Sequence, residues 1–269
     1  MTALFNYQGR PSFPLLQILD ILHINHDRSL NGIVDITQKT LLRSPGKERW
    51  DVEDIFKDKS KALIPLFKEI GCIDAMHASS SLYDYGVVLG ALFDRVRDRF
   101  QWLINEWCRG VRFKTLVFLT GKRALINSEF EALKVFSKKR PLPTDEFEMV
   151  KLIYANVEMP QAMKNLPVVF INAQPQTGTP RANTEDTVRA WLERCPEPGT
   201  VLAVSNQPYI MLQHCILRAL LPQEFCIETI GPEISNLTTT TLLLDNLARW
   251  IFQIKRLFDA HCISQAVNP

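Results

Sequence analysis

The chain has 269 residues and a net charge of +2; 46% of its residues are hydrophobic and 22% are charged. This ordinary globular balance gives no electrostatic reason to expect nucleic acid or anionic lipid as the main partner. Residues 1–10 lack the layout of a signal peptide, and no apolar run approaches the roughly 20 residues that a membrane span needs. We therefore expect a cytoplasmic protein with no membrane partner.

Residues 1–80 are predicted to form a helical extension. An apolar series after Pro14 indicates a short helix, and residues 52–70 carry a charged amphipathic pattern with Pro65 as a break or kink. Because both helices carry apolar stripes, we expect the extension to cover the following domain, or to bind a protein partner or a second copy of the chain. Deletion of residues 1–78 is predicted to leave an aggregation-prone remainder.

Residues 81–269 are predicted to form an α/β domain. Apolar strand segments alternate here with amphipathic helical patterns, which indicates a parallel sheet of about five strands with helices on both faces. The strand segments are residues 86–89, 115–119, 168–171, 201–204 and 225–230. Ligand sites of such sheets lie at the carboxyl ends of the strands. The residues that we expect at this one edge are Gly90, Gly121, Asn172 and Ser205.

The exits of the first two strands supply cationic candidates for a ligand site. Gly90 begins a short turn before a helix that carries Arg95, and this motif is neither a dinucleotide fingerprint nor a P-loop. The guanidinium of Arg95 suits a phosphate or carboxylate, with a solvated basic face as the alternative; Arg99 can face the same side. Gly121 and Lys122 follow the second strand, where a solvated turn is the alternative.

Polar helix starts and one strand exit supply the remaining candidates. Either helix-dipole complementarity or a catalytic role would explain Glu129, at the start of a predicted helix. A long irregular loop after the third strand leads to Asn183, which is predicted to cap a helix. The ligand-site residues predicted from these segments are Glu129, Asn183, Thr184, Glu185 and Ser205.

No metal site and no nucleophilic triad are predicted. His23 and His26 are spaced three apart, but no further ligand set accompanies them, so surface or capping roles are expected. There is no Gly-x-Ser-x-Gly elbow, and no cysteine has a recognisable histidine partner. The six cysteines include no Cys-x-x-Cys pair, and several fall within apolar patterns, which predicts buried free thiols.

From Tyr83 to about Trp250, the chain resembles the YdcF/SanA/ElyC-like family, a Rossmann-like group. The family's first strand ends in Gly before an Arg-bearing helix, and its second strand leads to a Gly-containing exit and then a Ser-Glu pair. Its other two motifs are Asn-Thr-x-Glu-Asn and Ser-x-Tyr-His-x-x-Arg. The matching segments here are residues 85–91 with Arg95 and Arg99, Thr120-Gly121, Ser128-Glu129, residues 183–186 and residues 205–213. The acid of the third motif is shifted in register, and Ile210 and Gln213 replace the His and Arg of the fourth.

The resemblance implies a Rossmann-like fold and a small-molecule site of nucleotide size. Relatives are linked to bacterial envelope functions, often with a membrane anchor, and one type is reported to bind S-adenosylmethionine. Three hypotheses therefore stay open. The chain could bind a small anionic or nucleotide-like ligand, with or without catalysis; it could be a non-catalytic interaction protein on a degenerate YdcF-like fold; or it could be a methyltransferase-like protein that binds S-adenosylmethionine.

Overall fold

The computed structural model describes residues 4–44, 52–138, 141–179 and 181–267. The α-helices within these ranges are α1 (Phe13–Ile21), α2 (Leu30–Thr40), α3 (Ser60–Glu69), α4 (Phe93–Cys108), α5 (Asn127–Phe136), α6 (Glu146–Asn156), α7 (Gln161–Lys164), α8 (Thr184–Leu192), α9 (Ile210–Leu220) and α10 (Thr240–Val267). The strands are β1 (Leu82–Leu89), β2 (Arg112–Gly121), β3 (Val168–Ala173), β4 (Thr200–Val204) and β5 (Cys226–Ile230). None of these helices combines the length and apolar character that crossing a bilayer requires.

Within the described residues, the five strands form one parallel sheet in the order β3-β2-β1-β4-β5. Val88 pairs with both Phe118 and Val204, and Thr120 pairs with Asn172, so β1 to β4 end at nearly the same level. We call this end of the sheet the carboxyl edge and the opposite end the amino edge. The predicted α/β fold with a Rossmann-like parallel sheet is confirmed, and the four predicted strand-exit residues share the carboxyl edge.

Side chains on the two faces of the sheet belong to two different cores. In β1, Val87 and Leu89 contribute to one core and Val88 to the other, because successive residues of a strand point to opposite faces. Residues of α4, α5 and α6 complete the Val88 core, and residues of α8 complete the other. Burial of each large apolar side chain stabilises the fold by about 1.5–3 kcal/mol.

The chain divides into two compact units. The sheet unit comprises Met76–Asn206 and Ile216–Pro232. The helical unit comprises Met1–Ala75, Gln207–Cys215 and Glu233–Pro269. The sequence had assigned all of 81–269 to the α/β domain, whereas the structure groups α10 with the N-terminal helices. The physical reason is that α10 packs against α2 and α3, and that α10 carries fully buried residues such as Leu243 and Leu247.

The helical unit departs from prediction in detail. The predicted helix after Pro14 is present as α1, which packs against α3. The pattern gave no indication of α2, whose N-terminal amide at Gly32 donates to the hydroxyl of Ser29. A break or kink was predicted at Pro65; α3 is not broken there, and fully buried Leu63 and Phe67 lie on either side. Packing of these two side chains outweighs the backbone hydrogen bond that proline cannot donate.

The cysteine prediction is correct in part. Five cysteines lie in the part of the chain whose side chains are described, and all five are free thiols. Cys72 and Cys215 are buried, and burial raises the pKa of these thiols to about 12 and about 11. The other three are exposed, because they end a helix, follow one or begin an outer strand; they are Cys108, Cys195 and Cys226.

Candidate functional site

The first strand exit places a helix N-terminus at the carboxyl edge. β1 ends at Leu89, and α4 begins three residues after Gly90, at Phe93. The amide of Phe93 donates to Oε1 of Glu129 at 3.0 Å, so a carboxylate of the protein already binds the first amide of α4. Glu129 also accepts from the amide of Ile126 at 3.0 Å, which fixes the start of α5. Glu129 therefore plays the predicted helix-dipole role at the N-termini of both α4 and α5.

Arg123 joins two carboxylates just beyond the exit of β2, and we call Arg123, Glu129 and Glu146 the Arg123 network. Nη1 and Nη2 of Arg123 donate to the two oxygens of Glu129 at 2.7 and 2.9 Å. Nε donates to Oε2 of Glu146 at 2.9 Å. All three side chains are at most 10% exposed. Such a bidentate arginine pair fixes both the position and the plane of its carboxylate.

Backbone pairing explains how residues 23 positions apart in the sequence meet in this network. Ala124 and Asp145 form an antiparallel bridge, and the amide of Glu146 donates to the carbonyl of Arg123 at 2.9 Å. Asp145 then caps α6 by accepting from the amide of Glu148 at 2.9 Å. The cap therefore places Glu146 in the first turn of α6, directly beside the chain that leaves β2.

The two carboxyl groups of the network have pKa values displaced in opposite directions. Burial raises the pKa of Glu129, but hydrogen bonds from Arg123, Ile126 and Phe93 outweigh burial and hold it below its usual range. Burial also raises the pKa of Glu146, and the attraction of Arg123 offsets only part of this because Glu129 repels the same charge. Carboxyl pairs with separated pKa values are typical of acid–base sites.

Glu146 also explains the glycine at the exit of β1. A Cβ atom at Gly90 would lie 2.3 Å from Oε1 of Glu146 and 2.7 Å from the carbonyl oxygen of Leu119. Gly90 was predicted as a ligand-site residue at the exit of β1, and in the structure the group that lies against it is this carboxylate. Within the described residues no donor binds Oε1 of Glu146, whereas Oε2 is held by Arg123.

Arg99 ties the exits of β1 and β4 together. Its Nε and Nη2 atoms donate to Oδ1 of Asn206 at 3.0 and 2.7 Å. Its Nη1 atom donates to the carbonyl oxygens of Leu89 and Gly90, both at 2.8 Å. This contact lies where the strand order reverses, the position at which open α/β sheets bind ligands. Arg99 is buried and bound to the protein, so it shapes the crevice between β1 and β4.

Arg95 and Lys122 are the two remaining cationic candidates at this edge. Arg95 is half-buried at the third position of α4, and Lys122 is exposed directly after β2. Across the described residues neither side chain forms a hydrogen bond or an ion pair. Both positive charges are therefore available to a ligand at the carboxyl edge.

The predicted Asn183 segment is largely explained by local structure. The side chain of Asn183 accepts from the amide of Asp186 at 3.1 Å, and Asp186 accepts in return from the amide of Asn183 at 2.8 Å. This capping box starts α8, with Thr184 and Glu185 half-buried in its first turn. The preceding loop packs on Gly121, where a Cβ would lie 2.7 Å from that of Ala182. Both features stabilise the loop without a ligand.

Ser205 differs from these satisfied groups. It is fully buried directly after β4, and its amide donates to the carbonyl of Ile230 at 2.9 Å. Its hydroxyl has no hydrogen-bond partner among the described residues. A buried hydroxyl without a partner is uncommon in proteins and is a feature of sites that bind a further group.

Sequence reasoning identified Glu129, Arg95, Lys122 and Ser205 but did not assign Glu146 or Asn206. Asn206 directly follows Ser205 in the same strand-exit cluster, so its position in the sequence was enough to predict it as a site residue. Glu146 resembles an ordinary first-turn acid of a helix, and only the bridge between Ala124 and Asp145 brings it to the site.

Comparisons of this chain with family models, curated proteins and solved structures yield no match. A functional conclusion therefore depends on the residues and their geometry.

Proposed function

We propose that this chain is a YdcF-like protein that binds a small anionic or nucleotide-like ligand at the carboxyl edge of its sheet. The observation that supports this most directly is a pair of cations just after β1 and β2, Arg95 and Lys122, that form no hydrogen bond or ion pair with the described part of the chain. Arg95 lies in the first turn of α4, whose first amide already binds Glu129, so the positive charge that this turn offers is that of the guanidinium. A phosphate or carboxylate group matches this combination of charge and donors.

The Arg123 network leaves the two cations to a ligand. Both of its carboxylates bind Arg123 and, within the described residues, neither pairs with Arg95 or Lys122. Asp98 attracts Arg95 through space but forms no ion pair with it. Directly after β4, at the same edge, the buried hydroxyl of Ser205 has no hydrogen-bond partner within the described residues. Together these groups favour a ligand that carries both a charge and neutral hydrogen-bonding atoms, as a nucleotide does.

A thermal-shift screen against nucleotides, nucleotide sugars and S-adenosylmethionine tests the proposal. A ligand that binds only the folded state raises the melting temperature. With a confirmed ligand, Arg95→Ala and Lys122→Ala should each weaken binding by about 1.5–3 kcal/mol in calorimetry. Lys134→Ala is the matched control, because this exposed lysine pairs with Glu131 on the outside of α5. Unchanged affinity in both test variants would exclude these residues from the site.

A non-catalytic interaction protein on a degenerate YdcF-like fold is the second candidate. The observation that favours it is the pair of departures from the family pattern in α9, where Ile210 is fully buried and Gln213 is mostly buried. Neither side chain can replace the acid–base chemistry of a histidine or the charge of an arginine. Failure of every compound in the screen to raise the melting temperature would favour this candidate.

A methyltransferase-like protein is the third candidate, and the S-adenosylmethionine arm of the same screen decides it. Such a site usually requires an acidic residue at the end of the second strand, where this chain has Gly121 and Lys122. A melting-temperature increase with S-adenosylmethionine alone would select this candidate over the nucleotide-like ligand.

A further inference from the structure

The two carboxyl oxygens of Glu146 differ in their hydrogen bonding. One oxygen, Oε2, accepts from Nε of Arg123 at 2.9 Å, and the other, Oε1, has no donor within the described residues. Oε1 is directed at the exit of β1, since it lies 2.3 Å from the Cβ position that Gly90 lacks. A proton on this carboxyl would therefore reside on Oε1, because Oε2 is engaged as an acceptor.

The charges that face Glu146 come from several elements. Arg123, beyond β2, and Arg99, on α4, favour its ionised form, whereas Glu129 on α5 opposes it. Burial opposes ionisation more strongly than any of these charges, so its pKa already lies above the usual range. An additional negative charge at the turn between Gly90 and Arg95 would repel the carboxylate further and favour protonation.

We propose that Glu146 takes up a proton when an anionic ligand binds at the turn between Gly90 and Arg95, and that the resulting carboxylic acid donates from Oε1 to the ligand. This inference rests on the proposed function, because Glu146 would change its protonation state only if an anionic ligand binds at this edge. The ligand class it selects is an oxyanion with an acceptor oxygen above Gly90. Binding then becomes tighter as pH falls, since a proton is taken up with the ligand.

Isothermal titration calorimetry of the full chain tests this coupling. The probes are inorganic sulfate and cyclic AMP, whose charges stay constant from mildly acidic to mildly alkaline pH. Titrations in two buffers with different ionisation heats report the number of protons taken up. We expect about one proton per ligand where Glu146 is ionised in the free protein, and an affinity that falls by up to about tenfold for each pH unit above its pKa.

Two variants distinguish Glu146 from a general effect of pH. Glu146→Gln keeps an acceptor for Arg123 but cannot titrate, so it should abolish proton uptake and flatten the pH profile. Glu148→Gln is the matched control, because this exposed acid lies on the same helix turn and pairs with Lys151. It should retain both the uptake and the slope. Melting curves of both variants confirm that each is folded.

The outcomes separate the two proposals. Binding without proton uptake, or uptake that persists in Glu146→Gln, overturns the role of Glu146 and leaves the anion site in place. The absence of saturable binding of either probe at every pH counts against the proposed function itself.

Discussion

The two edges of the sheet both carry partly or fully buried carboxylates, but their hydrogen bonding differs. At the amino edge, Asp84 accepts from Nζ of Lys114 at 2.7 Å, and its second oxygen accepts from the amide and the hydroxyl of Thr200, both at 2.8 Å. These bonds, led by that from Lys114, lower the pKa of Asp84 to about 2. At the carboxyl edge, Glu146 has one oxygen that no donor among the described residues reaches, and its pKa is raised.

Two further carboxylates near the amino edge follow the pattern of Asp84. Glu228 accepts from Ser79 and Tyr83, and Glu106 accepts from His77, Ala78 and Arg109, so donors reach both oxygens of each. Fully satisfied carboxylates join segments of the fold. A buried acid therefore does not by itself identify a site, and the informative signal is the acid or hydroxyl that the protein leaves unsatisfied.

Replacing Arg123 at the carboxyl edge and Arg109 near the amino edge should give the largest difference in unfolding free energy between the two edges. Arg123→Met leaves Glu129 and Glu146 buried without their shared partner, and we expect a loss of about 3–5 kcal/mol in the free energy of unfolding. Arg109→Met removes a half-exposed arginine whose partner Glu106 keeps His77 and Ala78, and should cost less than about 1 kcal/mol. Denaturant unfolding measures both. Similar losses would mean that the two edges do not differ in this respect.

The two acids of the Arg123 network should respond to pH in opposite ways. The folded pKa of Glu129 is lowered, so its stabilising contribution is present above the unfolded value of about 4.3 and disappears as pH falls through the folded pKa. Glu129→Gln should therefore cost about 1.5–3 kcal/mol at neutral pH, because charge-assisted bonds are lost, and less in acid. Unfolding free energies measured from acidic to neutral pH give this slope.

The opposite sign applies to Glu146. Its folded pKa is raised, so its favourable contribution is present below about pH 4.3 and is lost as pH rises through the folded pKa. Glu146→Gln should therefore become more stable relative to the wild type as pH rises. Glu148→Gln, on the exposed side of the same turn, should show no such trend. Parallel slopes for the Glu129 and Glu146 variants would contradict the opposed pKa shifts.

Close approaches to glycine provide a third comparison. Gly90→Ala places a methyl group against the carboxylate of Glu146 and the carbonyl of Leu119, and should cost about 1–3 kcal/mol. Gly199→Ala at the amino edge has only side-chain atoms of Asp84 as its nearest contacts, from 2.6 to 3.0 Å, and no backbone atom among them. Its cost should be smaller. Combining Gly90→Ala with Glu146→Ala should recover only part of the loss, because the carbonyl of Leu119 is backbone.

The sequence predicted the sheet well because its signals are local. Each β-branched run ends in a polar turn cluster, and the amphipathic stripe of Val96, Phe100 and Leu103 specifies which face of α4 is buried. The parallel order of β1 to β5 follows from such alternation. In contrast, the grouping of α10 with α2 and α3 depends on contacts between the two ends of the chain, which no local pattern encodes.

The site was predicted only where its signals are local. Gly90, Glu129 and Ser205 were found because each directly follows a strand or begins a helix. Glu146 was missed because its role depends on the antiparallel bridge between Ala124 and Asp145, which is formed outside the main sheet. That bridge turns an ordinary helix-start acid into the partner of Arg123.

The smallest expected effect compares two hydroxyls at opposite ends of β4. The hydroxyl of Thr200 accepts from the amide of Asp84 at 2.9 Å and donates to its carboxylate, so Thr200→Val should cost about 1 kcal/mol. The hydroxyl of Ser205 is buried and has no partner within the described ranges, so Ser205→Ala should change stability by less than about 0.5 kcal/mol or raise it. Thermal and denaturant unfolding measure both changes. If Ser205→Ala instead costs as much as Thr200→Val, the hydroxyl is satisfied within the protein. If it leaves stability unchanged but weakens sulfate binding, the hydroxyl serves the ligand, because only the bound state then loses a hydrogen bond.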